Sequence, residues 1–121
     1  MAELHILWQN STNISLDQKE IEQHLLAILL RLKAVGRVEV EISLVTDKEI
    51  KALKQRFFGI NEPTDVLSFP YEGKIEGLTG SIAISLDTAT KQAELAGVKL
   101  IEEVKMLASH GLLHLLDFNH R

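Results

Sequence analysis

The residues best able to do chemistry sit at the end of the chain, in His110-Gly-Leu-Leu-His114-Leu-Leu-Asp-Phe-Asn-His120-Arg121. Three of the five histidines lie here. Side chains four apart on a helix stand about 5–6 Å apart at Cβ, so the imidazoles of His110 and His114 can converge on one ion. His120 returns after a turn. Catalytic zinc sites typically take three protein ligands and keep one position for water. The spacing therefore proposes an open metal site. Beside it stands a plainer reading, in which a histidine next to an apolar stripe is a satisfied core or boundary residue; His-x-x-x-His alone does not separate the two.

The elements that must hold these residues are readable from periodicity. Leu4–Trp8 reads as a first strand. Ser15-Leu-Asp-Gln18 has the form of a capping box, and Ile21, Leu25, Ile28, Leu29 and Leu32 then recur at helical spacing, with Gly36 as the stop. His24 lies at the edge of that stripe and reads as a boundary residue. Val38–Val45 alternates apolar and polar, the mark of a strand with one buried face. Thr46-Asp-Lys-Glu49 is a second capping box opening a helix to about Arg56. Phe57 to Pro63 reads as a loop, and Thr64–Pro70 as a third strand whose proline boundaries place its ends at an edge or a site. Gly73, Gly77 and Gly80 flank a loop before a fourth strand, Ser81–Ser85. Leu86 to Ala96 is helical, with Gly97 as its left-handed terminator. A final helix starts at Lys99 or Leu100 and buries Leu100, Val104, Leu107, Ala108, Gly111 and Leu115, leaving His110 and His114 on the margin of the stripe beside Glu103. The order is βαβαββαα: an α+β fold, one domain over residues 1–121, with a mixed, roughly four-stranded sheet packed with helices and the metal site on the C-terminal helix.

Composition narrows the function classes. At 121 residues the chain can bury a core without staples. It has no cysteine, which removes disulfides, thiolate metal sites and cysteine nucleophiles. It shows neither a signal peptide nor an apolar run long enough to cross a bilayer, so a cytoplasmic protein without a membrane partner is expected. A net charge of −4 argues against a general nucleic-acid coat protein, though a local basic cleft is compatible with it.

Three segments together resemble the bacterial YbeY endoribonucleases, the rRNA maturation factors. They are His110-Gly-Leu-Leu-His114-Leu with a third histidine at His120, Pro63-Thr-Asp-Val-Leu-Ser-Phe-Pro70, and Gly80-Ser-Ile-Ala-Ile-Ser85. Their order and spacing agree with the family over nearly the whole chain. The resemblance implies a single-strand-specific, metal-dependent endoribonuclease that trims rRNA precursors near the 3′ end of the small-subunit (16S) RNA and serves ribosome biogenesis. It implies one zinc ion held by His110, His114 and His120, with RNA and the ribosome as partners.

The departures matter as much. Asp117-Phe118-Asn119 stands where the family usually has Gly-Tyr-Asp, so the residue best suited to a left-handed turn is lost. The family usually places an arginine, implicated in activity, just before the Pro-Thr strand; here Phe58 occupies that place. Guanidinium suits phosphate, whereas phenylalanine can only stack on a base. Arg56, two residues away, is the candidate catalytic substitute. The chain ends one residue after His120, where family members usually continue. Either it is truncated, or the site is finished by the terminus, with the Arg121 carboxylate beside His120. Gly111 follows the first histidine where a zincin protease carries its general-base glutamate, which argues against a protease of that type. Gly111 also permits close helix packing. Thr64 and Ser68 are candidates to hold phosphate, against a more ordinary role in local turns and strand edges. Phe57 and Phe58 offer a platform for bases, against a loop anchored by two buried rings.

Two classes remain: a zinc-dependent endoribonuclease, and a catalytically weakened relative that binds the ribosome or a protein, with a structural or vestigial metal. A zinc hydrolase of another substrate ranks behind both. Cleavage of single-stranded RNA that depends on His114 separates them.

Overall fold

A computed structural model describes residues 2–71 and 78–119. The elements are β1 (Ala2–Asn10), α1 (Gln18–Arg31), β2 (Gly36–Val45), α2 (Asp47–Phe58), β3 (Val66–Pro70), β4 (Leu78–Ser85), α3 (Leu86–Ala96) and α4 (Leu100–Asn119). This is the expected βαβαββαα order in an α+β domain with a four-stranded mixed sheet. The strands lie in the order β1-β2-β4-β3. The first two pairings are parallel, and β3 closes the sheet as an antiparallel edge strand. Pro70 therefore ends a strand at an edge, where its missing N–H interrupts no central ladder.

Alternation along β2 divides the molecule. Val38, Val40, Ile42 and Leu44 are buried in the main core, with Ile82 and Ile84 of β4, the stripe of α1 (Ile21, Leu25, Leu29), Leu86 and Ala89 of α3, and α4. On the opposite face α2 covers a smaller core of Val45, Ile50, Leu67 and Ala83, flanked by Leu53 and Phe69. The rest of that face carries the polar members of β2, among them Glu39, Glu41 and Ser43, none of which is fully buried.

Several boundaries differ from expectation. The cap of α1 is Asp17, whose Oδ1 accepts the Glu20 amide at 3.3 Å, two residues beyond Ser15. The helix ends before Gly36. Lys33 takes φ 54°, and its N–H and that of Ala34 return to Leu30 O and Leu29 O at 3.1 and 3.0 Å. That is a Schellman closure built on lysine; Gly36, at φ 89°, turns the chain into β2. The capping box of α2 forms as expected, with Thr46 and Glu49 exchanging bonds. The helix then continues to Phe58 and stops at left-handed Gly59, so Phe57 and Phe58 belong to its last turn and not to a loop. The third strand starts at Val66, two residues late, and α3 ends at Gly97 as expected. α4 runs through Asn119 without the expected turn at Asp117. Without glycine there, nothing in the sequence favours a left-handed residue over another helical turn. Gly73, Gly77, His120 and Arg121 lie outside the described residues. Among the described residues no helix is long and apolar enough to cross a membrane.

Candidate active site

The site is set by how closely α4 lies on the β3–β4 edge of the sheet. Gly111 is buried at that contact. A Cβ there would stand 2.8 Å from Ile82 Cγ2 and 3.1 Å from Ser68 Oγ, so only glycine admits the helix at this distance. Ser68 Oγ donates to the Gly111 carbonyl at 3.3 Å, tying strand to helix. One turn later Leu115 packs over Gly80, where an added Cβ would meet its Cδ2 at 2.7 Å. Two glycines thus seat α4, and close packing is the demonstrable role of Gly111. Ser68, a candidate phosphate holder, spends its hydroxyl on α4.

His110 and His114 flank this contact, both exposed. With Phe58, Val66 and Ser68 they line a hollow of about 340 Å³. His114 also lines a larger cleft of about 690 Å³, whose other walls include Glu41, Ser43, Ser81, Phe57, Phe58 and Phe69. The cleft runs from the open face of the sheet, past the end of α2, round β3 to His114. Thr64 and Arg56 are in the walls of neither.

Phe57 and Phe58 are 55% and 52% exposed, so they do not anchor a loop by burial. Both gather on Phe69: Phe57 tilted at 4.9 Å between centroids, Phe58 nearly parallel at 5.9 Å with 20° between ring planes. The guanidinium of Arg56 lies 5.4 Å from the Phe57 centroid, a cation–π contact. The helix carrying this cluster is braced at its other end. Ser11 Oγ donates to Glu49 at 2.6 Å, and Ser85 and Thr88 at the start of α3 donate to Asp47. The Ser11 bond, with those from Thr46, holds the Glu49 carboxyl below its ordinary value against a smaller effect of burial. Burial pushes Asp47 up, but the bonds from Ser85 and Thr88 and the charge of Lys91 together outweigh it and leave it lowered.

The donor set fits a metal as far as it is described. Two imidazoles one turn apart, both exposed to a cleft, are suitable nitrogen donors for zinc. Among the described residues no three histidine, aspartate or glutamate side chains form a group able to hold an ion, and His120 lies outside them. His24 is the boundary residue expected, its Nε2 3.0 Å from Ser109 Oγ. Glu103, expected beside the histidines, is buried.

Sequence reasoning missed Glu41, Ser43 and Ser81. Their only local signal is the polar phase of β2 and β4; their convergence on the aromatic cluster needs the β2-β4-β3 order. It missed Asp65 as well, whose Oδ1 accepts the Val66 amide at 2.8 Å and whose carbonyl accepts from Ser85 N at 2.9 Å, fixing the start of β3.

Comparison with known proteins agrees with this architecture. A solution structure of a Thermotoga maritima protein matches with a TM-score of 0.65 at 29% identity, over 91% of this chain and 71% of that one. A Thermus thermophilus protein named Endoribonuclease YbeY is 45% identical over 100 residues, covering 79% of this chain and 72% of its own. One of the same name from Syntrophus aciditrophicus is 37% identical over 112 residues, covering 88% and 69%. The family model described as Endoribonuclease YbeY matches residues 6–121, nearly the full chain, and the chain belongs to that family.

Proposed function

We propose that this chain is a zinc-dependent endoribonuclease of single-stranded RNA, acting in the cytoplasm on rRNA precursors near the 3′ end of the small-subunit RNA and meeting the ribosome as it does so. In this reading residues 1–121 form one metal-dependent hydrolase domain, and His110, His114 and His120 hold a single zinc ion. The observation that carries the reading is the placement of His110 and His114: one turn apart, exposed, and lining one hollow, with His114 also on the larger cleft, in a member of a family named for endoribonuclease activity.

Zinc, when bound, supplies positive charge for a phosphate oxygen and acidifies water. The chain supplies the rest. Gly111 and Ser68 hold the turn of α4 that carries the two histidines against β3 and β4. Phe58 forms the wall facing them. Arg56 is the proposed source of the charge that the family's arginine would bring; to reach a phosphate it must leave the Phe57 ring.

One observation favours a second reading, a ribosome- or protein-binding module with a structural or vestigial metal: a phenyl ring, Phe58, stands where the family has its arginine. The two separate in one experiment. Zinc per chain and cleavage of end-labelled single-stranded and duplex RNA are measured for the parent, His114→Ala and Arg56→Ala. The first reading expects near-stoichiometric zinc and single-strand cleavage, both lost in His114→Ala, with cleavage reduced in Arg56→Ala. Intact zinc without cleavage in the parent would select the second, and cleavage indifferent to His114 would end the first.

A further inference from the structure

The proposed RNA site contains an unexplained pairing of an aromatic wall with a carboxylate. Phe57 and Phe58 keep more than half their surface in water on the last turn of α2, yet they are ordered against Phe69 into one apolar wall. Ser81 and Glu41 line the same cleft beside that wall. Register explains the arrangement. Phe69 pairs with Ser81, and Ser81 with Glu41, so the three lie in one row on one face of the sheet. Neighbouring strands are about 4.8 Å apart, which puts Glu41 roughly 9–10 Å of backbone from Phe69. Ser81 stands between them in the row, and its small side chain leaves space above the sheet that suits one flat heterocycle. Arg37 pairs with Glu39 at 3.5 Å, and among the described residues no cation pairs with Glu41.

Resting on the RNA reading above, we infer that this cleft is a base-specific subsite: it holds an unpaired guanine, stacked on the Phe58 wall, with its Watson–Crick edge on Glu41. The chemistry selects the occupant. A phosphate is disfavoured because the lining of the cleft carries a carboxylate and no lysine or arginine among the described residues. An ionised carboxylate only accepts hydrogen bonds, and its two oxygens suit two parallel donors. Guanine offers N1–H and N2–H side by side. Uracil flanks its single N–H with two carbonyl oxygens that face the carboxylate unfavourably, and adenine and cytosine set an acceptor nitrogen beside their amine. Stacking is tolerant of sequence; the carboxylate makes it selective. The same cleft reaches His114, so the stacked base sits beside the bond to be cut.

The test reads binding separately from cleavage. Fluorescence anisotropy is measured for labelled single-stranded UUGUU and for the same pentamer with inosine, adenine, cytosine or uracil at the centre, using the protein as purified and a gel to show each pentamer intact. A bidentate contact predicts guanine tighter than uracil by about fivefold to a hundredfold, with inosine, which lacks the 2-amino group, in between. Glu41→Gln removes that preference while binding to the uracil pentamer is kept or strengthened. Phe58→Ala weakens every pentamer by about fivefold or more, and Phe58→Trp restores them. Both positions are partly exposed, and a thermal melt verifies that each variant is folded. Equal affinity for the guanine and uracil pentamers, a preference untouched by Glu41→Gln, or full binding by Phe58→Ala would each overturn the guanine subsite and leave the RNA reading standing. If no pentamer binds, the RNA reading falls and this inference with it.

Discussion

Replacing Gly111 by alanine sets two opposed effects against each other, and the structure decides which wins. In a helix interior alanine is favoured over glycine by about 1 kcal/mol. Gly111 has no positive φ to protect, so by propensity alone Gly111→Ala should stabilise α4. Against this, the new methyl would lie 2.8 Å from Ile82 Cγ2, 3.1 Å from Ser68 Oγ and 3.2 Å from Ile82 Cδ1. Ile82, on β4 between β2 and β3 and beneath α4, is fully buried and cannot swing aside. Relief must come from lifting α4 off the sheet, which also stretches the Ser68–Gly111 bond. Overpacking of this kind costs about 1–3 kcal/mol; set against the propensity gain of about 1 kcal/mol, the expected net loss is about 0–2 kcal/mol. Urea and thermal unfolding measure it; for a domain of this size each kcal/mol lowers Tm by about 3–6 °C. Adding Ile82→Ala sharpens the test, because the methyl then enters space that Ile82 vacated and the double variant should lose less than the sum of the singles. A Gly111→Ala protein that melts higher than its parent, or a pair of substitutions that merely adds, would refute the claim that glycine seats this helix.

Two further outcomes follow from the helix ends. Asp47 and Glu49 both have carboxyl pKa values lowered by folding, from ordinary values of 3.8 and 4.5. A lowered folded pKa means the unfolded chain binds protons more readily, so the stability from these groups is full at neutral pH and is lost as pH falls through about 4.5 and below. The slope of Tm against pH in that range should flatten in Asp47→Asn and Glu49→Gln; an unchanged acid limb in both would show that the bracing of α2 contributes nothing. Lys33 holds φ 54°, which costs a side chain about 1–2 kcal/mol, while glycine there returns about 0.4–1 kcal/mol of freedom to the unfolded chain. Lys33→Gly should therefore gain about 0.5–1 kcal/mol in urea unfolding where Lys33→Ala gains none, and a loss in Lys33→Gly would contradict the strain.

What the sequence disclosed and what it concealed divide along one physical line. Signals generated within a turn or two of chain were legible: the alternation of β2, the Thr46–Glu49 box, the glycine stop of α3 and the i, i+4 pair His110 and His114. The misplacements are also local, and each comes from a residue doing a task another type does better. Lysine closes α1 where glycine was sought at Gly36, Asp17 caps where Ser15 offered the formal pattern, and Asp117 fails to end a helix that glycine would have ended. The concealed half of the site is of another kind. Glu41, Ser81 and Phe69 are 40 and 12 residues apart along the chain, and they become neighbours only through the register of β2 on β4 and of β4 on β3. No periodicity encodes that adjacency, because it depends on β3 entering the sheet antiparallel beside β4 and not beside β2. The same register gives Phe58 its setting. Read along the chain, Phe58 stands where the family resemblance leads one to expect an arginine. Read across the sheet, it is a ring held against Phe69 on a cleft that Glu41 also lines. A stacking ring and a carboxylate on one cleft are thus the arrangement that the proposed guanine subsite requires, one supplying a face and the other a pair of acceptors.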